Sequence, residues 1–357
     1  MQPKKIVFIG TQTEISFYEE CNCLVSNFNP FKYLGASSFT CVDTVDALWR
    51  NKNPDYMRML DDFTESHGDA DIIVANWINP FHPEWLSITF SNTIKIYGCI
   101  DDPPATYQRT INSLWAFDAA FYVSPSYSDN FTMKSLLNMC NIEQTYWYPL
   151  SAGSVSDKHL LEVSESLDKR ELGLIYVGNL YGNKYDRLVT IKNKLGNNFS
   201  IFGRWQFWGY AGLLAPLKSR KLMCYRVKSI SEQQKRNYYL HHKIGLNMHF
   251  SDKRETGNMR MYEVPYHGMM LLCDKAADNA HEEIFKPDIE AIYYDDVEDA
   301  IDKATYYLKH DDKRKRIAMA GFQKYCDLYD SNKCLIDFLH WACNVKLRHS
   351  PSLLLTN

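Results

Sequence analysis

Short, unbroken apolar runs alternate along this chain with longer stretches whose apolar residues recur every three to four positions. Lys4-Lys5-Ile6-Val7-Phe8-Ile9-Gly10 predicts a buried strand that ends at a glycine turn. Further strands are expected at Thr40–Val45, Asp71–Trp77, Ile94–Cys99, Ala119–Val123 and Thr145–Tyr148. Helical spacing separates them, as in Val45–Ser66 and Ser126–Cys140. The pattern breaks into small and turn residues at Pro149-Leu150-Ser151-Ala152-Gly153-Ser154, which suits a hinge. It restarts at Leu174-Ile175-Tyr176-Val177-Gly178 and passes through a helix at Tyr185–Leu195. Strands follow at Phe199–Gly203, Ile244–Phe250 and Met269–Asp274, then helices at Val297–Lys309 and Lys313–Tyr329.

Strands that alternate with helices argue for parallel sheets covered on both faces. The expected class is therefore α/β, with two Rossmann-like domains facing each other across a cleft. Residues 1–150 form the first domain and residues 155–330 the second. In open α/β sheets ligands bind beyond the carboxyl ends of the strands, so the cleft is the expected site. Dehydrogenases and periplasmic-type binding proteins share this shape, and the fold alone does not choose a function. After the second sheet, Leu335, Ile336, Phe338, Leu339, Trp341 and Ala342 recur at near-helical spacing. This segment, within 331–357, is expected to cross back and dock on the first domain; the alternative is a helix that covers the second sheet.

Composition narrows the function. The 357 residues are 45% hydrophobic and 23% charged, enough for two cores, and the formal net charge is −3. Without a basic field to draw in phosphate backbone, nucleic-acid binding is not expected. The ten cysteines are scattered and show no C-x-x-C pair, so they predict reduced, core-filling thiols rather than zinc. No apolar stretch approaches the ~20 residues of a membrane span, and the opening residues do not resemble a signal peptide. A cytoplasmic location follows, with peripheral membrane contact left open.

Chemistry concentrates in the segment from Arg254 to Asp274. It leaves a strand, turns at Gly257, enters a short helix and ends in another strand. The first amides of such a helix are unpaired and suit a diphosphate. Arg260 lies in that first turn, where the helix dipole disfavours a cation unless an anion is near. Arg260 and Glu263 share a face, so an intrahelical ion pair is the plain alternative. Pro265 should kink or shorten the helix.

Asn258-Met259-Arg260-Met261-Tyr262-Glu263, followed by Gly268-Met269-Met270-Leu271-Leu272, resembles the donor-site signature of GT-B glycosyltransferases of the spore-maturation CgeB type. Seven residues separate Glu255 from Glu263, a spacing similar to that of the retaining family 4 of the same fold. The resemblance implies that Glu263 binds the ribose hydroxyls, in keeping with a carboxylate's ability to accept from a vicinal diol. It implies that Glu255 contacts the transferred sugar, with Gly257, Asn258, Met259 and Arg260 at the donor. Gly178 and Asn179, with Lys184 and Arg187, resemble the glycine turn and phosphate-facing basic residues of the second domain. Family 4 usually has arginine where Asn179 stands and glycine where Thr256 stands. Asp71–Val74 and Asn79-Pro80-Phe81-His82-Pro83 resemble the CgeB-type strand and histidine-proline loop. Tyr293–Glu298 and Ile317–Gly321 are similar to the family's closing helices.

The remaining candidates lie mostly in the first half. Gly10 and Thr11 either close over donor phosphate or acceptor, or form a plain turn. Asp101 and Asp102 end a predicted strand and are candidates for acceptor binding or for capping a turn. His82 is a second catalytic candidate, able to orient an acceptor hydroxyl or a phosphate; an ordinary loop histidine is the alternative. The run from Arg204 to Tyr210 could stack on a base or sugar, or pack in a core. His241, His242 and His249 lack regular ligand spacing, and no metal is expected. Together with the resemblance these readings imply glycosyl transfer from a nucleoside diphosphate sugar to a glycan, lipid-linked or small-molecule acceptor, without a cofactor; the resemblance to family 4 implies retention. A non-catalytic nucleotide-sugar or glycan binder, or a nucleotide-sugar epimerase, is the alternative.

Overall fold

The computed structural model describes residues 2–10, 21–34, 42–75, 80–128, 131–180, 184–203, 228–249 and 254–348. The chain divides into two compact units, one of Met1–Pro149 with Lys333–Asn357 and one of Leu150–Asn332.

The first unit is built on a parallel sheet. Its strands are β1 (Lys4–Ile9), β2 (Cys23–Phe28), β3 (Ile72–Ala75), β4 (Ile94–Cys99), β5 (Ala119–Tyr122) and β8 (Thr145–Trp147), in the order β2-β1-β3-β4-β5-β8. Successive side chains of a strand face opposite ways, and both faces here are covered. Val7, Ile9, Ile73 and Ala75 join one core with the helices Val42–Arg50 and Pro54–His67. Ile6, Phe8, Ile72 and Val74 join another with Phe338, Leu339 and Ala342 of the helix Ser331–Asn344. Double burial is why these strands read as continuous apolar runs. The last helix is thus part of the first unit's core from Lys333 onward. Trp341 lies 5.1 Å, ring to ring, from Tyr146 on β8.

Three expectations for this unit need correction. Val42–Val45 is helical, because Val45, Leu48 and Trp49 form an i, i+3, i+4 face that packs into the core. The single helix expected over Val45–Ser66 is two helices. Asn53 starts the second by accepting from the amides of Asp55 and Tyr56, each at 3.1 Å, ahead of Pro54. Ser126–Cys140 opens as a short antiparallel ladder, β6 (Ser126–Ser128) with β7 (Phe131–Thr132), and among its described residues the helix is Met133–Met139.

The second unit repeats the plan. The parallel strands are β9 (Leu172–Val177), β10 (Phe199–Phe202), β11 (His242–Asn247), β12 (Met270–Asp274) and β13 (Ile292–Tyr294), in the order β10-β9-β11-β12-β13. Leu188, Val189 and Ile191 of the helix Lys184–Leu195 cover one face with Ala300, Ile301 and Ala304 of the helix Val297–Lys309. Arg170, almost wholly buried, ties loop ends together by donating to the carbonyls of Tyr239, His242 and His267. Among the described residues no helix is long and apolar enough to cross a membrane.

Candidate functional site

The second unit gathers the signature residues at the carboxyl edge of its sheet. β9 ends at Val177, and Arg260 reaches it from the helix Met259–Tyr266. The Arg260 Nε donates to the Val177 carbonyl at 2.6 Å, and a terminal guanidinium nitrogen donates to Asn247 Oδ1 at 3.0 Å. The guanidinium lies over the Tyr176 ring, 4.4 Å from its centroid. A Cβ on residue 178 would fall 1.9 Å from Arg260 Nη2, so this crossing requires Gly178. Burial disfavours the Arg260 charge, but the surrounding Tyr176, Tyr239, Glu263 and Asp274 more than offset that, and its pKa is raised.

The entry to this helix follows from its sequence. Gly257 adopts φ +83°, a conformation cheap only for glycine, and turns the chain into Asn258. Asn258 then caps the helix by accepting from the Met261 amide at 3.3 Å. Met259 is exposed beyond the cap. Pro265 falls near the end of the helix, which closes one residue later at Tyr266.

Arg260 and Glu263 form no ion pair with each other. Glu263 instead accepts from Lys235 Nζ at 2.8 Å, and Lys235 also pairs with Glu232 at 2.6 Å. Lys235 comes from the helix Glu232–His241, a polar element that offered no sequence signal for this role. Lys184 begins its helix almost wholly buried. Burial, aided by the Arg260 charge, pulls its amine down to about 8, while Glu255 and Asp274 act in the opposite direction. Glu255 is half-buried next to Thr256, which is buried.

The ends of β11 and β12 add three residues, Asn247, His249 and Asp274, that the sequence reading did not select for the donor site. The His249 amide donates to the Asp274 carboxylate at 2.9 Å, and its Nδ1 lies 2.8 Å from Asp274 Oδ1. Burial works against the Asp274 charge, yet His249 and Lys184 hold its carboxyl below the usual range. Asn247 is fully buried at the end of an apolar strand, the kind of position that signals a polar task. Donor atoms of His249, Cys273 and Asp274 lie within 4.8 Å of one another. Burial pushes the Cys273 thiol well up and its sulfur donates to Asp274, so the group is better described as a hydrogen-bonded brace than as a ligand set. Arg187 and Asp274 line a cavity of about 280 Å³ with Lys275, Tyr294, Asp295, Asp296 and Val297. Gly178, Asn179, Lys184, Arg187, Glu255, Gly257, Asn258, Met259, Arg260 and Glu263 all belong to this unit.

The first-unit candidates lie beyond the carboxyl ends of three neighbouring strands. Gly10 follows β1 and its amide donates to Phe28 O at 3.1 Å. His82 starts the helix Pro83–Thr89; its Nε2 is 3.1 Å from Asp46 Oδ1 and its ring stacks on Trp49. Asp101 pairs with Arg109 at 3.2 Å. Asp102 is buried and accepts from Thr106 at 2.5 Å and Thr110 at 2.9 Å, with its carboxyl pushed up by burial. Both donors are hydroxyls on the helical turns that follow, so Asp102 is tied to that segment through side chains. Thr11, Asn79 and the Arg204–Tyr210 run lie outside the described residues.

Comparison with known proteins agrees with the architecture of two parallel sheets. Residues 186–339, less than half the chain, match a family described as "Glycosyl transferase-like". No curated protein sequence matches. Among solved structures, HepE of Anabaena in complex with UDP-glucose superposes with a TM-score of 0.58 at 10% identity, covering 94% of this chain and 97% of that one. A glycosyltransferase from Rickettsia africae gives 0.60 at 15% identity, covering 97% and 99%. The E. coli trehalose-6-phosphate structure bound with UDP-2-fluoro glucose gives 0.57 at 12% identity, covering 97% and 100%. The fold is GT-B. At these identities the likeness carries the architecture, and the chemistry rests on the residues.

Proposed function

We propose that this chain is a glycosyltransferase that takes a sugar from a nucleoside diphosphate sugar, with the donor at the carboxyl edge of the second unit's sheet. The observation that carries the reading is the crossing of Arg260 over Gly178 at the end of β9. It sets a charged guanidinium beside the start of a helix, with Lys184 close enough for its amine to feel the Arg260 charge. Negative charge develops on the diphosphate as the glycosidic bond breaks, and fixed donors at that point stabilise the transition state. Lys184, Arg187 and Arg260 supply the positive charge, and the amides after Gly257 supply hydrogen bonds. Glu263, anchored by Lys235, accepts from the ribose diol, and Glu255 faces the sugar. The resemblance to family 4 favours retention, and the cation set would do the work that a metal does in other transferases. UDP is the first donor to test, since UDP or its sugar derivatives fill HepE and the E. coli neighbour.

The test is calorimetric titration of the whole chain with UDP, followed by UDP release from UDP-glucose. Binding with a Kd of about 1 mM or tighter is expected, and Glu263→Ala should weaken it at least ~10-fold while far-UV circular dichroism is unchanged. Unchanged affinity in Glu263→Ala removes that residue from the site. Failure of UDP, GDP, ADP and dTDP alike to bind overturns the reading.

A further inference from the structure

Away from the donor site, the first unit brings thiols to the seam between β2 and its last helix. Cys23 opens β2 and Cys343 lies in the last turn of Ser331–Asn344; they are 320 residues apart in sequence and 3.2 Å apart at their Sγ atoms. A disulfide needs the sulfurs at ~2.05 Å, so only about 1 Å of approach separates contact from bond. Cys21 is also at this seam, but its Sγ is directed to the Ile336 carbonyl at 3.9 Å. Ile336 is two helical turns from Cys343, about 10 Å along the axis.

The two close thiols are chemically unequal. Cys23 is fully buried, and that burial, reinforced by the contact with Cys343, pushes its thiol up to about 12. Cys343 is only half-buried and therefore meets solutes first. The Lys4 ammonium donates to the Cys343 carbonyl and places a positive charge at this seam.

We propose that Cys23 and Cys343 are a peroxide-responsive pair that closes to an intramolecular disulfide and locks the last helix onto β2. Cys343 thiolate attacks one oxygen of hydrogen peroxide; the O–O bond breaks and the leaving hydroxide takes a proton to become water. Cys343 is then a sulfenic acid. The Cys23 sulfur attacks Cys343 Sγ, the S–S bond forms and the S–O bond breaks. The departing hydroxide leaves with the Cys23 proton as a second water. Two thiols have been oxidised by two electrons, and one peroxide has been reduced to two waters.

The experiment treats the full chain with hydrogen peroxide, alkylates the remaining thiols and maps the digest by mass spectrometry without reductant. A peptide pair joining Cys23 to Cys343, lighter by two hydrogens and split by dithiothreitol, is expected. Thermal unfolding should shift up by about 5 °C on oxidation and return on reduction, because the link closes a very long loop. Cys343→Ser should lose both effects and Cys21→Ser should keep both. Recovery of Cys23 fully alkylated after peroxide, or linkage through Cys21 instead, overturns the pair. A Cys23–Cys343 link with no shift in unfolding overturns the lock.

Discussion

The Arg260 guanidinium occupies the space that a side chain on residue 178 would fill, and it does so while hydrogen-bonded to the preceding carbonyl, that of Val177. One glycine and one arginine, far apart in sequence, thus define the end of β9 jointly. Gly178→Ala brings Cβ within 1.9 Å of Nη2, and the arginine must move. The expected result is a stability loss of about 1–3 kcal/mol, as for other overpacked sites, with UDP affinity down ~10-fold or more. Urea unfolding and calorimetry read the two effects separately, and unaltered UDP binding would free Arg260 of its donor role.

Glu255 should behave differently from Glu263. Its charge is close enough to influence Lys184, and it precedes the turn at Gly257 rather than following it. Glu255→Gln keeps the shape and removes the charge. Turnover is expected to fall about 100-fold while the UDP Kd moves less than ~3-fold, the signature of an interaction felt in the transition state. Equal losses in kcat and in binding would assign Glu255 to the framework.

Acid should loosen the second unit before it affects most carboxylates. Burial holds His242 down to about 4 and lowers His159, His267 and His281 as well. A histidine with a depressed folded pKa is neutral in the fold and takes up its proton more readily when unfolded. Its contribution is therefore complete above pH ~6.5 and is lost as pH falls towards the folded value. For His242 alone that amounts to about 3 kcal/mol by pH 4. Urea midpoints measured from pH 7.5 to 4.5 should fall steadily, and a flat profile down to pH 5 would contradict the buried neutral state. Asp311, held to about 2 by Arg314 and Lys315 against the opposing effect of burial, titrates below this window.

The first unit should depend on residues that arrive last in the chain. Phe338 touches the rings of Phe8, Phe121, Tyr146 and Tyr148 and is almost fully buried. Phe338→Ala is expected to cost about 3–5 kcal/mol. Differential scanning calorimetry should show the loss in the transition that contains β1, and a loss confined to the second unit's transition would contradict the packing.

The strands were largely legible because a parallel sheet buried on both faces needs consecutive apolar residues, as Ile6-Val7-Phe8-Ile9 and Leu271-Leu272-Cys273 display. β2 escaped notice because it is an edge strand in which Leu24 is exposed and Ser26 and Asn27 interrupt the apolar run. Val42–Val45 misled because β-branched residues resemble a strand until Leu48 and Trp49 extend the helical face. At the candidate site, Arg260 and Glu263 were singled out by local spacing together with the family resemblance. Their actual partners were not, since Val177 is 83 residues from Arg260 and Lys235 is 28 from Glu263. Sequence periodicity reports which face is buried, and it carries no information about which distant group meets it.

The membership of the last helix in the first unit also has a consequence during synthesis. The face of the first sheet that carries Ile6, Phe8, Ile72 and Phe121 is finished by Phe338, Leu339 and Ala342. On the ribosome, that face stays bare while the whole of Leu150–Asn332 is translated, because its cover has not yet been made. The nascent chain therefore presents apolar surface to chaperones for most of its translation, and the second unit, which is continuous, is free to fold first. A premature stop shortly before Lys333 would leave the intact second unit joined to an unfinished, aggregation-prone first one.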